Sequence, residues 1–257
     1  MIPVRTSLVN VDSTIPSIYK DKAGKYIPLI KAGGKMTPEA AEALLKLHQA
    51  VLAEGSPHRI TDCFRSYDQQ KAAREKYDRW KAAGSPSSPP SFNSTTMKKD
   101  FVAPPGFSNH EAGIAIDAAV SQLAFPNLPA NKQLDRYWEL AIPLGWTPII
   151  KEATEGASES WHFDYWGEWR RVKNVFGYSI ASMCAHLDIG IACYGDDQDK
   201  LLQSQLHRVG VDIGPIDGMV GAKTKAGATY VGINSTNPDW DKLFKMESAP
   251  EVIWKPS

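Results

Sequence analysis

Four side chains in two short stretches have the types and spacing to do chemistry together. In "SNHEAGIAID", residues 108–117, His110 and Asp117 stand seven positions apart across a run of small apolar residues. In "ESWH", residues 159–162, Glu159 and His162 stand three apart. Two imidazoles and one carboxylate suit a catalytic zinc site that leaves a fourth position for water. A second carboxylate beside such a metal can take a proton as general base. Read singly, most of these residues have an ordinary explanation. A histidine before a strand is commonly a hydrogen-bonded surface group, His162 between Trp161 and Phe163 fits an aromatic cluster, and Glu159 fits a solvated acid. Asp117 resists that treatment, because an aspartate inside an apolar run is costly unless paired or metal-bound. As a set, the four point to metal-assisted hydrolysis.

Several elements must position them. "MTPEAAEALLKLHQAVLAEG" predicts a helix, with Thr37 as cap, Pro38 in the first turn and Gly55 closing it. Leu44, Leu47 and Val51 recur at helical spacing and give it a buried face. "RITDCF" predicts a short strand, and "SYDQQKAAREKYDRWKAAG" a second helix capped by Ser66 and ended by Gly84. Arg65 falls at the junction between them. The proline- and serine-rich "SPSSPPSFNSTT" predicts a surface loop, a candidate flap over a site. "GIAIDAAV" suits a central strand, "DRYWELAIPLGW" a helix up to Pro143, and the aromatic "ESWHFDYWGEW" a final strand. The texture changes around Val172 to Tyr178. The expected division is therefore a catalytic domain over 1–175 and a smaller domain over 176–257.

Composition narrows the class. Hydrophobic residues make up 42% and charged residues 23%, which supports packed cores rather than disorder. The 29 basic and 29 acidic residues balance, so no global pull toward nucleic acid is expected. Membrane insertion is not expected either, since no apolar run approaches the roughly 20 residues of a spanning helix. Cys63, Cys184 and Cys193 are sparse and odd in number, a poor disulfide framework without zinc-finger spacing, and read as small buried thiols. "MIPVRTSLVNVD" shows no charged leader followed by an apolar core, so no signal peptide is read there.

"SNHEAGIAID" resembles the S-x-H-x-x-G-x-A-x-D signature of the zinc D-alanyl-D-alanine carboxypeptidases, the VanY-type group that shares a fold with the hedgehog signalling domain. "ESWH" resembles their E-x-W-H signature, and "FRSYDQQ" their R-S-x-x-x-Q element, here Arg65, Ser66 and Gln70. The three occur in the family's order. The resemblance implies an α+β zinc domain with a central antiparallel sheet. It implies one zinc per chain held by His110, Asp117 and His162, with Glu159 as the base. Arg65 would steady an oxyanion or substrate carboxylate, and Ser108 and Gln70 would contact substrate. The substrate class implied is the peptidoglycan stem peptide, cut by a carboxypeptidase or an L-Ala/D-Glu-type endopeptidase.

"LLQSQLHRVG" and "GPIDGMVGAKT" resemble the three-helix peptidoglycan-binding domain of bacterial and phage wall hydrolases. Gly218 and Gly221 would permit its tight turn, with Asp217 hydrogen-bonded inside it. The family's A-V-x-x-F ending is absent after Thr224. Two wall-directed modules without a visible signal peptide fit a monomeric phage endolysin, made in the host bacterial cytoplasm and released to the cell wall; a host enzyme exported by another route would look the same. The rival expectation is a non-catalytic wall-binding protein with a structural zinc. Glu159 speaks against it, since a structural site prefers four protein ligands and needs no free base.

Overall fold

The computed structural model describes residues 2–85, 91–92, 95–96, 102–154, 159–191 and 197–256. The chain falls into two compact units: Leu8–Tyr165, and Trp166–Ser257 together with Met1–Ser7.

The strands of the first unit are β1 (Val9–Asn10), β2 (Pro16–Lys20), β3 (Tyr26–Pro28), β4 (Lys35–Met36), β5 (Ile60–Asp62), β6 (Ser91–Phe92), β7 (Thr95–Thr96), β8 (Ala115–Ala118), β9 (Trp146–Pro148) and β10 (His162–Tyr165). Its helices are α1 (Pro38–Ala53), α2 (Tyr67–Ala82) and α3 (Gln133–Ala141). Six strands form one sheet in the order β3-β2-β5-β8-β10-β9. Its pairs are antiparallel except β2 with β5, which run parallel. The expected antiparallel sheet is thus present with one departure. A parallel pair needs a long crossover, and the connection through α1 supplies it. The fold is α+β.

α1 forms where its apolar spacing places it. Ala40, Leu44, Leu47 and Val51 line one face and pack with Ile60, Ile116 and Phe163 of the sheet and with Leu134 and Tyr137 of α3. Thr37 does precede the helix, but its hydroxyl makes no capping bond. Ser66 behaves as expected. Its hydroxyl accepts from the Gln69 amide while the Gln69 side chain accepts from the Ser66 amide, a reciprocal capping box. Side chains alternate along a strand, so in β8 Ile116 and Ala118 enter the core while Asp117 is sent to the other face. Of the predicted surface loop, only the short pair β6–β7 and Ser85 are described, and its proposed flap role lies outside the described residues.

The second unit contains α4 (Arg170–Phe176), α5 (Tyr178–Asp188), α6 (Asp197–Arg208), α7 (Ala222–Tyr230) and α8 (Trp240–Lys245) among the described residues. Leu202, Leu206, Val211, Ile213, Ala228 and Leu243 form its core. It begins ten residues before the expected 175/176 boundary, and it recruits the N-terminus. α4 packs on α5, Trp166 and Tyr178 meet edge to face at 5.1 Å, and the Arg5 Nε donates to Asp188 at 2.6 Å. These are non-local contacts that a change of sequence texture does not report. In the glycine-rich turn Asp217 accepts from the Met219 amide at 2.8 Å, as expected. Gly218 has φ +79°, the left-handed region that favours glycine, whereas Gly221 has φ −79° and needs none. Cys63 and Cys184 are buried free thiols, and Cys193 lies outside the described residues.

Candidate metal centre

Sheet register assembles the site. Asp117 in β8 pairs directly with His162 in β10 on one side and with Asp62 in β5 on the other. Residues directly opposite across antiparallel strands share a face, so Asp117 and His162 project together. His110 comes from the turn before β8, which Gly113 makes possible. Gly113 has φ +66°, and a side chain there would meet Leu8 Cδ2 at 2.4 Å and the Thr37 backbone nitrogen at 3.3 Å.

One ligand-type atom from each of His110, Asp117 and His162 lies within 4.8 Å of the others. His110 Nε2 is 3.2 Å and His162 Nδ1 3.0 Å from Asp117 Oδ1. The two rings meet edge to face, centroids 5.0 Å apart. His110 Nδ1 lies 2.6 Å from the Cys63 carbonyl oxygen and donates to it, which turns Nε2 toward Asp117. His110 and His162 are both buried.

The electrostatics follow from that crowding. Burial would raise the Asp117 pKa, but the charges and hydrogen bonds of His110 and His162 hold it well below the usual carboxylate range. Burial would likewise lower the His162 pKa, yet Asp164 and Asp117 hold it well above the ordinary imidazole value. Glu159 differs. Burial pushes its pKa up, Asp117 adds to that, and His162, His110 and Arg65 oppose it. Its carboxylate is not part of the three-residue cluster. Glu159 sits in the turn entering β10 with φ +63°, an unusual conformation for a non-glycine residue, and its carbonyl accepts from the His162 amide at 3.0 Å.

Arg65 borders the cluster. Its Nη2 donates to Asp117 Oδ2 at 3.4 Å, its Nε to Asp62 Oδ2 at 2.6 Å and its Nη1 to Gln70 Oε1 at 3.0 Å. Gln70, expected to touch substrate, is instead 0% exposed, and its Nε2 donates to the Ala103 carbonyl at 2.7 Å. Both ends of its amide are committed to bracing Arg65 and the segment at Ala103. Ser108 is nearly buried in the loop before His110, where its amide donates to Glu111 Oε2 at 3.2 Å. Glu111 also accepts from the Gly106 amide at 2.9 Å and so holds this loop. Sequence reasoning missed Asp62, Asn109, Glu111 and Asp164. An open cleft of about 580 Å³ lies beside Asp62, lined also by Tyr19, Ile27, Thr61, Phe64 and Gln69.

Residues 33–168, more than half of the chain, match the family model of VanY, D-alanyl-D-alanine carboxypeptidase. No curated protein matches the chain. Among solved structures, the LdcB LD-carboxypeptidase, described for its peptidoglycan recognition, is 22% identical with a TM-score of 0.39, over 62% of this chain and 67% of that one. A mutant of the vancomycin-resistance D,D-pentapeptidase VanY in complex with Zn(II) is 21% identical with a TM-score of 0.35, over 61% and 86%. The D,D-dipeptidase VanXYg with a D-Ala-D-Ala phosphinate analog is 20% identical with a TM-score of 0.37, over 68% and 69%. These structural likenesses are distant, and the match over residues 33–168 is the stronger finding. No helix among the described residues is long and apolar enough to cross a membrane.

Proposed function

Because the chain belongs to the VanY family of D-alanyl-D-alanine carboxypeptidases, we propose that it is a zinc peptidase hydrolysing an amide bond of peptidoglycan stem peptides. The observation that carries this is the convergence of His110, Asp117 and His162, with Glu159 close by but outside the cluster. The donor set fits zinc: two imidazole nitrogens and one carboxylate oxygen, with the His110 proton held on the nitrogen facing away. We propose one ion per chain. When bound, zinc supplies a Lewis acid that acidifies water and polarises an amide carbonyl.

The chain's own residues do the rest. Glu159, kept more basic than an ordinary carboxylate by its burial, takes the proton from the attacking water and returns it to the leaving amine. Arg65, fixed at three of its nitrogens, holds its guanidinium beside the cluster, where it can steady an oxyanion or substrate carboxylate. Ser108, in the loop that carries His110, contacts substrate. The second unit attaches the enzyme to the wall and raises the local substrate concentration. Its setting, in our proposal, is host lysis by a phage endolysin acting as a monomer, held in the host cytoplasm until released to the wall. The test is to digest purified peptidoglycan and identify new termini by mass spectrometry, with and without a strong chelator. Chelator-sensitive appearance of one new amine and one new carboxyl terminus is expected. Unaltered peptidoglycan, or cleavage by verified metal-free protein, would overturn it.

A further inference from the structure

His110 and His162 are oriented by different means. His110 leans on the main-chain carbonyl of Cys63, which no side-chain substitution removes. His162 leans on a side chain, Asp164, which alternation along β10 puts on the same face two residues away. Asp164 is 2% exposed, and a carboxylate so buried is costly without donors. It has two. Its Oδ1 accepts from His162 Nε2 at 3.0 Å and from Asn109 Nδ2 at 2.8 Å. Asn109, itself buried, immediately precedes His110. One carboxylate oxygen therefore ties the strand bearing one imidazole to the loop bearing the other.

We propose that Asp164, braced by Asn109, is the positioning residue of the metal centre, holding the His162 proton on Nε2 so that Nδ1 faces Asp117 as the coordinating lone pair. Both ring nitrogens face a carboxylate oxygen at 3.0 Å, Nδ1 that of Asp117 and Nε2 that of Asp164; zinc taking the Nδ1 lone pair would leave the ring proton on Nε2, where Asp164 accepts it. The inference rests on the zinc site proposed above. A carboxylate behind a ligating imidazole fixes its orientation and raises its basicity, and loss of such a partner lowers metal affinity roughly 10–100-fold. His162 is thus the ligand whose orientation one side chain controls.

The test uses the full chain and zinc itself. Zinc affinity is measured by chelator competition for wild type, Asp164→Asn, Asp164→Ala and Asn109→Ala, with circular dichroism as the folding control. The His162 ring nitrogens are followed by long-range proton–nitrogen NMR in the zinc-loaded proteins. Asp164→Ala should lower affinity roughly 10–100-fold. Asp164→Asn, which keeps an oxygen acceptor without the charge, should lose less. Wild type should show the proton on Nε2 and the metal on Nδ1, and Asp164→Ala should lose the slowly exchanging Nε2 proton. Should Asp164→Ala fail to fold, Asn109→Ala leaves the carboxylate in place without its brace, and a several-fold loss is expected. Folded Asp164 and Asn109 variants with wild-type zinc affinity and an unchanged His162 nitrogen pattern would overturn this inference alone. Wild-type protein that takes up no zinc would overturn the metal site itself, and this inference with it.

Discussion

Behind β10, away from the metal centre, lies a buried polar chain whose titration should be visible in the protein's acid stability. His48, His58 and Tyr137 are 3%, 1% and 0% exposed. The two Nδ1 atoms of the histidines are 3.1 Å apart, and His58 Nε2 is 2.9 Å from the Tyr137 hydroxyl. Tyr137 in turn meets Phe163, the neighbour of His162, edge to face at 5.1 Å. Burial, aided by the His48 charge, pushes the His58 pKa down to about 3. In the unfolded chain it would be about 6.5. Between those values the unfolded state holds a proton the native state lacks, so His58 favours folding above the unfolded value and that contribution is lost as pH falls. The slope is about 1.4 kcal/mol per pH unit, so a drop from about pH 7 to about pH 5 should remove about 2 kcal/mol. The assay is urea denaturation of metal-free protein at both pH values, wild type against His58→Gln. Gln is neutral, can still hydrogen-bond, and leaves the titrations of His110 and His162 common to both proteins. Wild type should lose about 2 kcal/mol more than the variant over that drop. Parallel losses would refute the reasoning and show that His58 accepts its proton in the folded state at near-normal pH.

Arg65→Lys keeps the charge but loses the planar fork that reaches Asp62, Gln70 and Asp117 together. Steady-state kinetics should show turnover down roughly tenfold or more with zinc content unchanged, and wild-type turnover would make Arg65 purely structural. The left-handed backbone at Glu159 predicts that Glu159→Gly is more stable than Glu159→Ala by about 1 kcal/mol in chemical denaturation. Equal stabilities would mean that the turn relaxes without strain. A protein spanning Leu8–Tyr165, the first compact unit, should still hydrolyse a soluble stem-peptide mimic but should no longer sediment with purified sacculi. Retained sedimentation would remove wall attachment from the second unit.

Asp117 and His162 were legible together because strand alternation is a local rule. An aspartate between Ile116 and Ala118 must leave the core face, and the β8–β10 register then sets it against His162. The same rule, applied two residues past His162, would have exposed Asp164, but its place in an aromatic-rich stretch hid it. Ser66 and Gln69 were equally local, since a capping box is written in four consecutive residues. Gln70 misled because residue type suggests a polar contact without saying with what, and only the fold brings Ala103 and Arg65 to its two ends. Asp62 and Cys63 were invisible for the same reason: Asp62 pairs across the sheet with Asp117, 55 residues on, and the Cys63 carbonyl meets His110, 47 residues on. The short strands β3 and β9 are too brief to carry a periodic signal. The unit boundary moved because Arg5 and Asp188, 183 residues apart, belong to one packed body.

Metal content and turnover measured on the same preparation of Glu159→Gln test the central claim most directly. The substitution keeps the size of the side chain and removes its ability to accept a proton, while His110, Asp117 and His162 are untouched. The expected result is one zinc per chain, as in wild type, with hydrolysis of a stem-peptide mimic reduced roughly 10²–10⁴-fold. A protein that has lost its zinc would make Glu159 a ligand, and one that keeps both zinc and wild-type turnover would leave the reaction without its base.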